Sequence, residues 1–178
     1  FAPIYYKLLV SVPPFELLSH RTLWSFIFFF SVLGIKGQVK EFKTAVFSFK
    51  GQFPIILLAS VLIAINWFFF IYAIQTNQTT EASLGYFIMP LVTVVWGLLI
   101  FREKLSIFQW FSVVLAAVAV CILTFGLGVP PWIALILSFS FSIYAVLKKK
   151  LEISPIVSVT GEVFVLVPIS LLLLLYFH

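Results

Sequence analysis

The stretch Pro131-Trp-Ile-Ala-Leu-Ile-Leu-Ser-Phe-Ser-Phe-Ser-Ile-Tyr-Ala-Val-Leu-Lys-Lys-Lys150 carries no charge until its last three residues. An α-helix needs about 20 predominantly apolar residues to cross a hydrocarbon core roughly 30 Å thick. The block from Pro131 to Leu147 is close to that length, and the lysines that close it mark one side of a bilayer. Working outward, comparable blocks run from about Phe15 to Leu33, Phe53 to Ile74, Glu81 to Phe101, Ser106 to Phe125 and Pro155 to Phe177. A shorter apolar run, Phe1 to Val12, opens the chain without an initiating Met or a basic leader. It reads as the outer end of a helix whose beginning is missing.

Composition agrees with this pattern. Hydrophobic residues make up 63% and charged residues 10% of 178, too little polar surface to cover a water-soluble globule. Of the eleven basic residues, nine lie in three short segments: Lys36, Lys40, Lys43 and Lys50; Arg102 and Lys104; and Lys148, Lys149 and Lys150. The intervening loops at 75–80 and 126–131 carry none. By the positive-inside bias, loops 34–52, 102–105 and 148–154 are expected in the cytoplasm. The net charge of +5 flanks membrane spans and forms no patch with interleaved aromatics, so a nucleic-acid partner is not expected. The single cysteine, Cys121, rules out an intrachain disulfide or a multi-cysteine metal site.

Helix punctuation follows from local chemistry. Pro13 and Pro14 introduce the second helix, Thr80 is placed to cap the one that Glu81 opens, and Ser106 with Gln109 has capping-box spacing. Ser154 precedes Pro155 at a first helical position, and Gly126 falls where a helix end favours a left-handed residue. Within loop 34–52, Val39, Phe42, Val46 and Phe49 recur at spacings of three and four, as in a short amphipathic interfacial helix; a structureless loop is the alternative.

An internal echo concerns the repeat. Ile4-Tyr5 before a lysine, then Pro14 and Arg21, parallel Ile143-Tyr144 before lysines, then Pro155 and Glu162, with seven residues from proline to charge in both. A five-helix unit repeated in this way must reverse its orientation across the membrane, giving the inverted repeats found in secondary transporters.

Ionisable groups within spans cost about 2.5 to 3.5 kcal/mol at a helix centre on insertion scales, so each needs a reason. His20 and Arg21 lie about 8 to 9 Å into their helix and Glu162 about 10 Å into its own, at 1.5 Å per residue. Arg21 suits an anion clamp with His20 as a hydrogen-bonding neighbour, or snorkels to the outer interface, or pairs with Glu16. Glu162 suits a proton-coupling carboxylate, a repeat-related counterpart of Arg21, or a structural hydrogen bond, with Lys148 to Lys150 the partners within reach. Lys7, with Arg21, lies toward the outer side, where no positive-inside bias accounts for it.

Asn66, beside Trp67, sits near mid-span and must find partners, as interhelical glue or as a substrate contact. Ala82, Tyr86, Pro90, Thr93 and Gly97 form a stripe, in which Pro90 frees a backbone carbonyl. Ser140 and Tyr144 share a face with mild polarity, suited to a wet cavity or to plain packing. Tyr72, Trp110, Trp132 and Tyr176 fall near span ends, as interface anchors do. There is no Asp, no metal-spaced cluster, no nucleophile elbow and no phosphate loop, so neither enzyme chemistry nor a cofactor is expected. An integral-membrane enzyme or a non-transporting accessory subunit is the runner-up to a carrier.

Glu16-Leu-Leu-Ser-His20-Arg21-Thr-Leu-Trp24-Ser25, Asn66-Trp67 and Glu81-Ala-Ser-Leu-Gly85-Tyr86-Phe-Ile-Met-Pro90-Leu91 resemble the RarD family, in the EamA branch of the drug/metabolite transporter superfamily. The likeness continues through Glu103, Gln109-Trp110, Ser138 to Phe141, Tyr144 and Glu162. It implies an all-α polytopic bundle of ten helices in two inverted five-helix repeats. Residues 1–125 would be the first repeat, short of its start, and 131–178 the first two helices of the second. The implied activity is that of a small-molecule permease of the bacterial cytoplasmic membrane, partnered by lipid, a small-molecule substrate and a coupling proton or counter-substrate. The family name is associated with chloramphenicol sensitivity. Met89 and Thr93 stand where similar proteins often have Asn, which makes the implied cavity less polar here.

Overall fold

The computed structural model describes residues 2–47, 51–102, 104–127 and 131–177, all of them in helices or short connections. The helices are α1 (Ala2–Leu8), α2 (Pro14–Ile35), α3 (Val39–Phe47), α4 (Phe53–Gln75), α5 (Thr79–Ile100), α6 (Ile107–Leu127), α7 (Trp132–Lys150) and α8 (Pro155–Phe177). Six of these, α2 and α4 to α8, are long and apolar enough to cross a membrane. The chain is a multi-pass membrane protein. Lys50, Glu103 and Phe49 lie outside the described residues.

Start signals hold where a specific bond makes them. The Ser106 amide donates to Gln109 Oε1 at 2.7 Å, and the Gln109 amide donates to Ser106 Oγ at 3.4 Å, completing the capping box. Pro14 and Pro155 each open their helix. Two expectations fail. Thr80 is the second residue of α5 rather than its cap, and Gln78 in the cap position makes no side-chain capping bond. Gly126 is helical, one residue before the end of α6.

Left-handed helix ends occur elsewhere, at Gly37 (φ 69°) and Asn77 (φ 59°). After α2, the Gln38 amide donates to Leu33 O and Gly37 to Gly34 O; after α4, Gln78 donates to Ala73 O and Asn77 to Ile74 O. Each pair is a Schellman closure, which satisfies carbonyls that a helix end leaves open. The lysines at 148 to 150 are also not loop residues as expected. They form the last turn of α7, where the negative end of the helix dipole favours cations. Loop 148–154 therefore begins as helix. The opening run, expected to continue to Val12, is helical only to Leu8.

The helices fall into two compact units. The first contains α1, residues 65–75 of α4, α5, α6 and α7 to Val146. Its core joins Ala73, Ala82, Ile133 and Leu137, with a neighbouring cluster of Leu84, Ile88 and Ala134. Gly85 permits the close approach of α5 to α7, because a Cβ there would lie 3.1 Å from Ala134 O and 3.1 Å from Leu137 Cβ. Helix α6 is covered least, leaving Phe108, Phe111 and Ile122 exposed. Such an apolar face is a liability in water and costs nothing against lipid.

The second unit contains α2, α3, residues 53–64 of α4, the end of α7 and α8. The segment that left helix and loop open is helical from Val39 to Phe47. Its apolar face is buried against protein, with Phe42, Ala45 and Val46 meeting Leu33, Ile56 and Val157. Phe164 of α8 anchors the same core, its ring centroid 5.8 Å from Phe26 and 5.7 Å from Phe42.

Candidate functional site

Burying a polar group in an apolar bundle costs free energy unless it is hydrogen-bonded, so the buried polar side chains and their partners outline the candidate sites. In the first unit two such groups tie helices to α7. Asn66 Nδ2 donates to Leu137 O at 2.9 Å and to Ser140 Oγ at 3.1 Å. Both amide hydrogens are thus committed, and Asn66 is only 4% exposed. This geometry is what interhelical glue requires. Replacing Asn66 by alanine is expected to cost between about 0.6 kcal/mol, the average measured for a hydrogen bond between membrane helices, and about 1.7 kcal/mol, the largest. Thermal unfolding in detergent reads this directly, and an unchanged midpoint would show that the bridge adds nothing.

The second junction joins α5 to α7. Ser142 Oγ donates to Met89 O at 3.1 Å, Thr93 Oγ1 reaches the same carbonyl at 2.8 Å, and the two hydroxyls are 3.1 Å apart. Pro90 lies inside the continuous helix α5 and, having no N–H, cannot serve as the helical donor to the Tyr86 carbonyl four residues earlier. Thr93 and Met89, singled out above as departures from a more polar pattern, therefore bond to α7 and to each other's turn.

Near the start of α7, the Ile133 amide donates to Glu81 Oε2 at 3.1 Å. First-turn amides lack intrahelical acceptors, and a carboxylate is favoured at that positive end. One acid thus serves the starts of both α5 and α7. Tyr86 belongs to an aromatic chain, its ring 5.9 Å from Phe70, which in turn lies 6.2 Å from Tyr6 of α1. Lys7, Tyr86 and Pro90 are exposed, and Trp67 and Tyr144 are partly buried. The cavity of about 370 Å³ between α5 and α6 is lined mainly by Leu84, Phe87, Ile122 and Leu123 and includes none of these candidates.

The second unit holds the charged cluster. Lys148 Nζ lies 2.8 Å from Glu162 Oε1, with side-chain exposures of 23% and 3%. Ser158 Oγ donates to the same carboxylate oxygen at 2.8 Å and accepts a bond from Lys148 Nζ. Ser158 and Glu162 are four residues apart and so share one face of α8. Arg21 is half-buried and His20 exposed on α2.

A further contact fixes the start of α8. The Ser154 amide donates to Glu41 Oε1 at 3.0 Å, and Gln38 Nε2 reaches Glu41 Oε2 at 3.3 Å. Sequence reasoning missed Ser158, Glu41 and the second role of Glu81. Only Ser158 carried a usable signal, its four-residue spacing from a costly acid.

A model of the EamA-like transporter family matches residues 1–125. The chain is 42% identical over 176 residues to the uncharacterized transporter YojE of Bacillus subtilis, covering 98% of this chain and 59% of that protein. It is 37% identical over 169 residues to protein RarD of Escherichia coli, covering 95% of this chain and 57% of that protein. Against protein RarD of Streptomyces exfoliatus it is 36% identical over 167 residues, covering 92% and 52%. The chain thus spans a little over half the length of these curated relatives. No solved structure matches it. The chain belongs to the EamA-like transporter family, and its RarD-like character rests on those relatives.

Proposed function

We propose that this member of the EamA-like transporter family is part of a small-molecule permease of the drug/metabolite transporter type, moving a metabolite or drug across the bacterial cytoplasmic membrane by alternating access. The observation that carries the reading is the Lys148–Ser158–Glu162 cluster. An acid 3% exposed among apolar helices is costly to keep and is a functional group by default in a membrane bundle. Transporter names among the relatives support the same class.

In this reading loops 34–52, 102–105 and 148–154 face the cytoplasm, and residues 1–125 and 131–178 belong to two inverted repeats. The proline-led helices α2 and α8 are then related elements, and both lie in the second unit. The substrate path is lined from α1, α4, α5 and α7. The candidate substrate-binding or coupling residues are Lys7, Asn66, Trp67, Tyr86, Pro90, Ser140 and Tyr144 in the first unit and His20, Arg21 and Glu162 in the second. A coupling proton or a counter-substrate completes the cycle.

The test is flux. A metabolite-wide screen with the full-length protein in proteoliposomes identifies a substrate. Arg21→Ala and Glu162→Ala are then expected to reduce its transport to background while the protein still inserts. Unchanged flux in either variant removes that residue from the candidates.

A further inference from the structure

We propose that Glu162 and Ser158 form a binding site for a primary ammonium group, and that Lys148 is its tethered occupant. The hydrogen-bond polarity carries the assignment. Ser158 donates its one hydroxyl hydrogen to Glu162 Oε1, so its lone pairs are left for Lys148 Nζ, which also lies 2.8 Å from that carboxylate oxygen. The two α8 side chains therefore present two acceptor oxygens and no donor to whatever sits between them. An ammonium, which has three donors and no acceptor, matches this; an anion does not.

The two halves of the cluster differ in burial and in attachment. Ser158 and Glu162 are each 2% exposed and sit one turn apart on a single helix, so the acceptor pair is fixed. Lys148 arrives from the last turn of α7 on a flexible four-carbon stem, and its side chain is 23% exposed. Its ammonium meets the buried acceptors while its side chain as a whole stays partly exposed. Lys149 and Lys150, next along the chain, are exposed. A free primary amine that reached the two acceptors would take its place, and the partly exposed Lys148 side chain would turn toward the exposed side, as Lys149 and Lys150 do.

The proposal rests on the permease reading, since it names the ligand class of the Glu162 site. A tether gives an internal ligand an effective concentration on the order of millimolar. An untethered amine must compete with that, so removing the tethered group raises its apparent affinity.

Isothermal titration of the detergent-solubilised full-length protein with n-butylammonium tests this. Lys148→Ala is expected to bind the probe at least about tenfold more tightly than the native protein. Adding Glu162→Gln abolishes the binding, and tetramethylammonium, which has no N–H, is not bound. If Lys148→Ala is not recovered folded by itself, recovery only when n-butylammonium is present throughout purification is the same result. The proposal is overturned if Lys148→Ala folds and binds no more tightly than the native protein. It is also overturned if the variant is not recovered with the amine present, or if Glu162→Gln leaves the binding intact. The readout is occupancy, so its failure leaves any measured flux standing, whereas a lack of flux with binding intact counts against the permease reading alone.

Discussion

Lys148→Ala is expected to destabilise the folded protein by about 3 to 5 kcal/mol, and Glu162→Gln by only about 1 to 2 kcal/mol, although both break the same ion pair. The asymmetry comes from where each partner is left. Glu162, with 3% of its side chain exposed, cannot reach water when its cation is removed, and Ser158 can supply only one hydrogen. A buried carboxylate that loses the cation paired with it is costly to keep. Lys148 starts 23% exposed at the end of α7 and can swing its ammonium into water when the acid is replaced. Glutamine also keeps the shape of Glu162 and an acceptor oxygen for Ser158. Thermal unfolding of the three proteins in one detergent gives the order directly. Equal losses would mean that Glu162 is hydrated after all, and a larger loss for Glu162→Gln would mean that the ammonium, not the acid, is the trapped charge.

The six spans were legible because length and hydropathy alone decide them, and a bilayer leaves few alternatives to a helix. Their ends were legible only where the signal is a short-range bond. The Ser106–Gln109 box and the prolines at 14 and 155 are such cases. Thr80 and Gly126 misled because a capping residue type is common and the backbone decides whether it is used. Asn77 closes α4 although its residue type alone does not mark a helix end, and the lysines at 148 to 150 look like loop by charge although they form the last turn of α7, where the helix dipole favours them.

Among site residues, the sequence shows which side chains are expensive but not what satisfies them. Asn66 and Glu162 stood out by burial cost alone. Their partners followed different rules: Lys148 and Ser158 lie within two turns or one loop of Glu162, whereas Asn66 to Ser140 spans 74 residues. Glu41 to Ser154 spans 113, and no local pattern encodes a contact of that range. Helix α3 illustrates the difference, since its apolar periodicity was visible but its use as a clamp on α8 was not.

Close helix approach gives the second large effect, because three glycines in the bundle face different surroundings. Gly85→Leu is expected to cost about 3 kcal/mol or more, the upper end of overpacking penalties, by wedging α5 away from α7. Even the alanine variant is strained there: its Cβ would stand 3.1 Å from Ala134 O and 3.2 Å from Ala134 Cα, and backbone atoms cannot rotate aside. That displacement would also pull Ser142 from the Met89 carbonyl, which joins the same two helices. Gly161→Ala meets only side-chain carbons, the nearest being Ile56 Cγ2 at 3.3 Å, so a small rotamer adjustment makes room. Gly34→Ala meets nothing within 4 Å and is expected to stabilise α2 by about 0.5 to 1 kcal/mol through lower chain entropy. The expected order of stability is therefore Gly34→Ala above the native protein, Gly161→Ala near it and Gly85→Ala clearly below, with Gly85→Leu lowest. Unfolding midpoints measured in one detergent decide it. A Gly85→Ala protein as stable as the native one would show that α5 and α7 are held by their polar bridges rather than by the closeness that this glycine permits.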